Sequence, residues 1–244
     1  MLKYVLQTAA RRAGFDVVRY GRLSAVEERV ALLADRIGLN SILDVGANVG
    51  QFRNKVRSFA YNGRVISFEP QQTAHQQLVQ SAGNNPDWII YPRCALGDVT
   101  GTAKINLAGN SQSSSLLPMR GRHIEAWPET RYVGAEEVPV KTLSQVFADD
   151  PELFAGRHVL KMDAQGYELN ILKGAEDVLG QIDIVMLEAS LVTLYDGEPT
   201  VATLLNHLEG RQFDCYAICP GFSDAKNFQM LQVDMLFVKR SAME

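Results

Sequence analysis

The segment Asp44-Val45-Gly46-Ala47-Asn48-Val49-Gly50 lies between a compact apolar run and a helical stretch, and its residue types suit a backbone cradle for a ligand. Glycine at 46 allows a tight turn and close approach of a ligand to the main chain, while Gly50 lets the following helix pack closely on a sheet. Phe68-Glu69-Pro70 ends the next apolar run, 19 positions beyond Gly50. An acid at that strand end can accept hydrogen bonds from both hydroxyls of a ribose. Glycine turn and strand-end acid together predict a ligand that contains adenosine.

The turn also says which adenosine ligand fits. A dinucleotide fingerprint needs glycine where Asn48 stands, so that backbone can approach a pyrophosphate. No Gly-Lys-Ser/Thr follows the turn, so the phosphate loop of nucleotide hydrolases is absent as well. S-adenosylmethionine (SAM) carries a ribose and an amino-acid tail but no phosphate, and it fits what remains.

A second segment, Leu160-Lys-Met-Asp163-Ala-Gln165-Gly-Tyr-Glu168-Leu, puts Asp163 at the carboxyl end of a strand expected beside the first one. Open α/β sheets bind ligands in that crevice. A carboxylate there can orient a hydroxyl, remove its proton or hold the methionine end of SAM; it can also cap the next helix. Glu188 ends Val185-Met-Leu-Glu188 on an expected neighbouring strand. Asp163 and Glu188 could act as base and orienter, or share a divalent cation with substrate oxygens; a solvated strand-end glutamate is the competing reading. His123, in Arg120-Gly-Arg-His123, falls in a region able to cover the acceptor and is a further candidate base. Ser113, Ser114 and Ser115, within Ser111–Leu116, could donate hydrogen bonds to a polar acceptor or simply form a surface loop.

Five pieces, Asp-Val-Gly-Ala-Asn-Val-Gly-Gln-Phe, Ser-Phe-Glu-Pro, Ala-Leu-Gly-Asp, Ser-Ser-Ser-Leu and Lys-Met-Asp-Ala-Gln-Gly-Tyr-Glu-Leu-Asn-Ile-Leu-Lys-Gly-Ala, follow one another in this order. With them the chain resembles the FkbM family of SAM-dependent methyltransferases over roughly residues 40–240. The resemblance implies a class I (Rossmann-like) doubly wound, mostly parallel seven-stranded sheet and methyl transfer to a hydroxyl of a saccharide or secondary metabolite. It also implies that Asp44, Gly46, Ala47, Asn48, Gly50 and Pro70 build the SAM pocket, that Glu69 holds the ribose and that Leu96 lies near the adenine. Asp163 would face the methionine end and the acceptor. One departure stands out: where the family often has Glu, this chain has Gln165. A charge needed there for catalysis or metal binding would be missing, which keeps a non-catalytic SAM-binding protein, beside N- or C-methylation, among the alternatives.

The elements that must position these residues can be read from periodicity. Residues 1–37 read as helix stopped by Gly38, then strands at 41–46, 64–69 and 88–96 alternate with helices at 49–59 and 71–82. Apolar rather than alternating strands argue for a parallel sheet covered on both faces. Residues 97–141, rich in Gly, Ser and Pro, read as an inserted hairpin and loop region with short strands at 103–107 and 137–140. Alternation resumes with strands at 158–163, 182–188, 213–219 and 230–238 and helices at 168–179 and 200–209, one terminal strand being antiparallel. The expected organisation is thus an N-terminal helical extension, 1–38, and one domain, 39–244. The extension could support a homodimer or a lid.

Composition bounds the partners. A net charge of −4 gives no basic surface for nucleic acid. Three cysteines, with Cys215 and Cys219 expected buried on one strand face, point to a reducing, cytoplasmic setting. Met1–Arg12 has no apolar core followed by a cleavage site, and no run reaches a membrane-spanning length.

Overall fold

The computed structural model describes residues 8, 10, 12 and 25–243. Strand β1 (Ser41–Val45), buried at all positions, is flanked in parallel by β2 (Arg64–Phe68) and β7 (His158–Met162). The sheet continues through β3 (Trp88–Ile90) on one side and through β8 (Ile182–Ser190), β9 (Phe213–Pro220) and β10 (Gln232–Lys239) on the other, in the order β3-β2-β1-β7-β8-β10-β9. Only β10 runs antiparallel to its neighbours. This is the mostly parallel seven-stranded, doubly wound sheet expected, with the order reversing at β1 and β7, where ligands bind in such sheets.

Helices α1 (Val26–Ile37), α2 (Gln51–Ser58) and α3 (Gln72–Ala82) cover one face, burying Val30, Val56 and Leu78. After α4 (Gly121–Ala126), helices α5 (Leu143–Asp149), α6 (Glu168–Gly174) and α7 (Val201–Glu209) cover the other with Leu143, Leu172 and Leu208. Thr142 and Thr200 cap α5 and α7 by accepting from the backbone N–H three residues on.

The structure departs from the sequence reading at several points. Ala25 is extended, so the helix with a buried face starts at Val26, while most of residues 1–24 lie outside the described residues. The run at 88–96 splits at Tyr91-Pro92, because proline cannot donate to a ladder; β4 (Ala95–Leu96) instead joins a second sheet, β4-β6-β5, with β5 (Gly101–Ala108) and β6 (Tyr132–Lys141). The helix at 168–179 ends at Gly174 and continues as a 3-10 turn to Gln181. A bulge between Leu236 and Phe237 shifts the register on β9, leaving Cys219 buried but Cys215 exposed. The expected hairpin is present, its strands longer than predicted.

Candidate active site

A cavity of about 400 Å³ opens at the carboxyl ends of β1, β2, β7 and β8. Its first wall is the turn after β1. The amides of Gly46 and Ala47 both donate to Phe68 O at 3.1 Å, pinning the turn to β2. Gly46 adopts φ 72°, and a Cβ there would stand 2.0 Å from the carbonyl oxygen of Asp163, so the glycine is required by the end of β7 as well as by the turn. Asn48, also left-handed, donates its amide to Glu69 Oε2 at 2.7 Å, and the Gln71 amide reaches Glu69 Oε1 at 2.8 Å. Burial pushes the Glu69 carboxyl up to about 7 against those two hydrogen bonds. Each oxygen keeps a lone pair for a ribose hydroxyl.

Ala47, Pro70 and Leu96 line the same cavity, whereas Asp44 and Gly50 do not. Gly50 is required by packing, since a Cβ would sit 2.6 Å from the Trp88 ring. Asp44 is fully buried beneath the turn and pairs with Lys161 Nζ at 2.8 Å. Lys161 also donates to the carbonyls of Val45 and Gly46, and it lines the cavity. Burial favours the neutral lysine, but Asp44, Asp163 and Glu69 outweigh it and hold Lys161 above its ordinary range. The signal for this pair was present: each is a lone charge in an otherwise apolar run, and the β1–β7 register puts Asp44 directly beside Lys161.

The second wall is acidic. Asp163 directly follows β7 and Glu188 lies near the carboxyl end of the neighbouring β8, and Gln165 lies between them, its Nε2 2.8 Å from Asp163 Oδ1 and 3.0 Å from Glu188 Oε2. Gln232 Nε2 donates to the same Glu188 oxygen at 2.6 Å. Asp234 stands opposite Glu188 across the β8–β10 ladder. Burial, then the charges of Asp163, Asp234 and Glu168, raise the Glu188 carboxyl well above its ordinary value; burial and Asp163 bring Asp234 to about 7. Glu188 is half-buried and lines this cavity. Asp163 is not a helix cap: Tyr167 is the N-cap of α6, and Glu168 Oε1 takes the amides of Ala164 and Gly166. Gln232 and Asp234 belong to no sequence motif and reach this edge through the β8–β10 register, whereas Gln165 lies in the block after β7 already singled out in the sequence.

The serine loop forms a strap over the cavity. Ser111 Oγ accepts from Asn48 Nδ2, Ser114 Oγ donates to Gln71 Oε1, and Ser115 Oγ donates to Gln165 O at 2.8 Å. Ser113 Oγ accepts from Asn110 Nδ2. Ser113, Ser114 and Ser115 thus line the cavity with their hydroxyls engaged within the protein. Beyond the strap, His123 of α4 is 2% exposed, packs edge-on against Tyr195 and lies 5.8 Å from the Phe222 ring. Trp127 lies tilted against the same ring at 5.7 Å, so the far wall is aromatic. Burial lowers His123 to about 4.

Among the described residues no group of three or more His, Cys, Asp or Glu is arranged to hold a metal ion. Between Asp163 and Glu188 the bridging atom is an amide nitrogen, a donor that cannot ligate, so these residues do not fit a shared cation. No described helix is long and apolar enough to cross a membrane.

The family described as "Methyltransferase FkbM domain" matches residues 44–215. A curated relative, "Methyltransferase sdnD" of Sordaria araneosa, is 29% identical over 160 residues, 56% of this chain and 60% of its own length, so the chain spans about 60% of that relative. Among solved structures, TehB from Haemophilus influenzae superposes with a TM-score of 0.48 at 8% identity over 91% of this chain and 64% of its own. M. capricolum TrmK in complex with S-adenosylhomocysteine gives 0.45 at 10% identity over 87% and 68%.

Proposed function

Because this chain belongs to the methyltransferase FkbM domain family, we propose that it transfers the methyl group of SAM to a hydroxyl of a small molecule, a saccharide or a secondary metabolite. The observation that carries this reading is the contact between the two walls: the glycine turn and the Asp163 carbonyl are so close that no Cβ fits between them. Cofactor cradle and acidic edge therefore share one cavity.

When bound, SAM supplies a methyl group on a sulfonium, open to in-line displacement. Glu69, with a lone pair left on each oxygen, receives the ribose hydroxyls, and Leu96 with Phe68 offers apolar surface to the adenine. A hydroxyl acceptor must lose its proton as it attacks, because its own pKa lies far above neutral. Glu188, whose carboxyl burial raises well above its ordinary value, would in its ionised form take that proton from an acceptor oxygen placed in line with the methyl group that bound SAM would supply. Asp163 orients the acceptor beside it. The strap and the aromatic wall exclude water from the reacting groups. His123, at about 4, is a weak base and serves as part of that wall. A small molecule rather than nucleic acid suits the net charge of −4.

The test is isothermal titration with SAM, S-adenosylhomocysteine and NAD, followed by a screen of hydroxylated acceptors for S-adenosylhomocysteine release. The two SAM-type ligands bind, NAD does not, Glu69→Ala loses binding, and Glu188→Gln keeps binding but loses turnover. A folded sample that binds no SAM would sink the methyltransferase reading; SAM binding with Glu188→Gln fully active would remove Glu188 as the base.

A further inference from the structure

Gln165 ties together the polar groups at the acidic edge of the cavity. Its Nε2 donates to Asp163 Oδ1 at 2.8 Å and to Glu188 Oε2 at 3.0 Å, its Oε1 accepts from Tyr195 Oη at 2.6 Å, and its carbonyl accepts from Ser115 Oγ at 2.8 Å. The amide orientation follows from its neighbours. Reversing it would turn an acceptor oxygen toward two carboxylates, which need donors. The backbone there is left-handed, φ 52°, a conformation that costs a residue with a Cβ and so has to be held by its surroundings.

The oxygens left over are as informative as those engaged. Both amide donors that reach Glu188, from Gln165 and Gln232, converge on Oε2. Among the described residues, none donates to Glu188 Oε1 or to Asp163 Oδ2. One oxygen of each acid is therefore tied to Gln165 and the other is left for a ligand in the cavity that both acids line. Two carboxylates within 3.0 Å of a single atom repel each other unless something positive or a donor lies between them. Proteins commonly use a divalent cation for this. Here an amide N–H₂ stands in that place.

We propose that Gln165 is a positioning residue that replaces a bridging cation, clamping Asp163 and Glu188 so that Glu188 Oε1 and Asp163 Oδ2 face the acceptor. The proposal rests on the reading that this edge receives the acceptor. Its first test does not depend on activity. Mn²⁺ is titrated into wild type, Gln165→Glu and the double variant Gln165→Glu/Glu188→Gln, with binding followed by electron paramagnetic resonance. A third carboxylate at this position completes a cation site, so Gln165→Glu binds Mn²⁺ at least tenfold more tightly than wild type, and the double variant loses that gain. Wild type binding Mn²⁺ as tightly as Gln165→Glu, no gain in Gln165→Glu, or a gain that survives loss of Glu188 would each overturn the proposal. Gln165→Met, which keeps the side-chain length without donors or charge, supplies the kinetic test on an acceptor identified by the screen. Turnover falls at least tenfold and the pH–rate profile moves, while the SAM KM stays within twofold. Wild-type turnover with an unchanged pH profile in Gln165→Met would overturn the clamp. If SAM binding itself fails in wild type, the methyltransferase reading falls, and the Mn²⁺ series still decides whether Gln165 occupies a cation's place.

Discussion

At the scale of single residues, Gly46 meets two demands that no other residue satisfies. It needs φ 72°, and it abuts the carbonyl of Asp163 at a distance a Cβ would reduce to 2.0 Å. Backbone, unlike a flexible side chain, cannot step aside cheaply. Gly46→Ala should therefore push the ends of β1 and β7 apart, destabilising the protein by about 2–4 kcal/mol and weakening SAM binding at least tenfold. Chemical denaturation and calorimetric titration of the variant check both; wild-type values in either would show that the turn relaxes independently of β7. This glycine was legible in the sequence as a turn residue, but its real neighbour was not, because the close contact runs between strands 117 positions apart in the chain. Asp234 was hidden for the same reason, and so were the partners of Lys161 and Gln165, whose places in the chain were plain but which acquire meaning only against Asp44, Glu188 and Asp163.

At the scale of elements, the apolar strands and the helices between them were legible because burial on both faces leaves an uninterrupted Val/Ile/Leu pattern. The strap was not, since residues 109–116 hold their shape through turn backbone bonds and side-chain hydrogen bonds to distant residues rather than through periodicity. Its long-range bonds run to the parts that line the cavity: Asn48 in the glycine turn, Gln71 at the start of α3, and Gln165 and Tyr195 at the acidic edge. Such a strap should order further when its cavity is filled. Hydrogen–deuterium exchange of peptides spanning 109–116 is expected to slow at least fivefold with saturating SAM, whereas the distant, Thr200-capped α7 stays unchanged. Ser115→Ala releases the tie to Gln165 and should lessen that protection. Equal exchange with and without SAM would reduce the strap to a surface loop.

At the scale of the whole molecule, the cost of gathering acids at one sheet edge appears in the dependence of stability on pH. Burial brings Glu69, Glu168 and Asp234 to about 7 from ordinary values of 4.5, 4.5 and 3.8. A carboxyl whose folded pKa is raised holds its proton more tightly in the native state. Its contribution is thus fully present below the unfolded value and is lost as pH rises through about 7. The histidines act in the opposite sense, since burial lowers His123 to about 4, so a bare pH–stability curve mixes the two. Comparing wild type with Asp234→Asn cancels everything but one acid. At pH 4 the two should be of similar stability. As pH rises to 8, wild type must ionise Asp234 beside Glu188 and Asp163 while the amide does not, so the variant should gain on the order of 2–4 kcal/mol relative to wild type. Urea unfolding at four or five pH values between 4 and 8 measures that difference. A flat difference would mean that Lys55 and Lys161, the two cations acting on Asp234, already neutralise it. The acidic edge would then impose no strain on the fold. A rising difference would show that the native state tolerates an unfavourable charge cluster at the mouth of its cavity, as expected of an edge arranged to take up a proton from an acceptor rather than to stabilise the sheet.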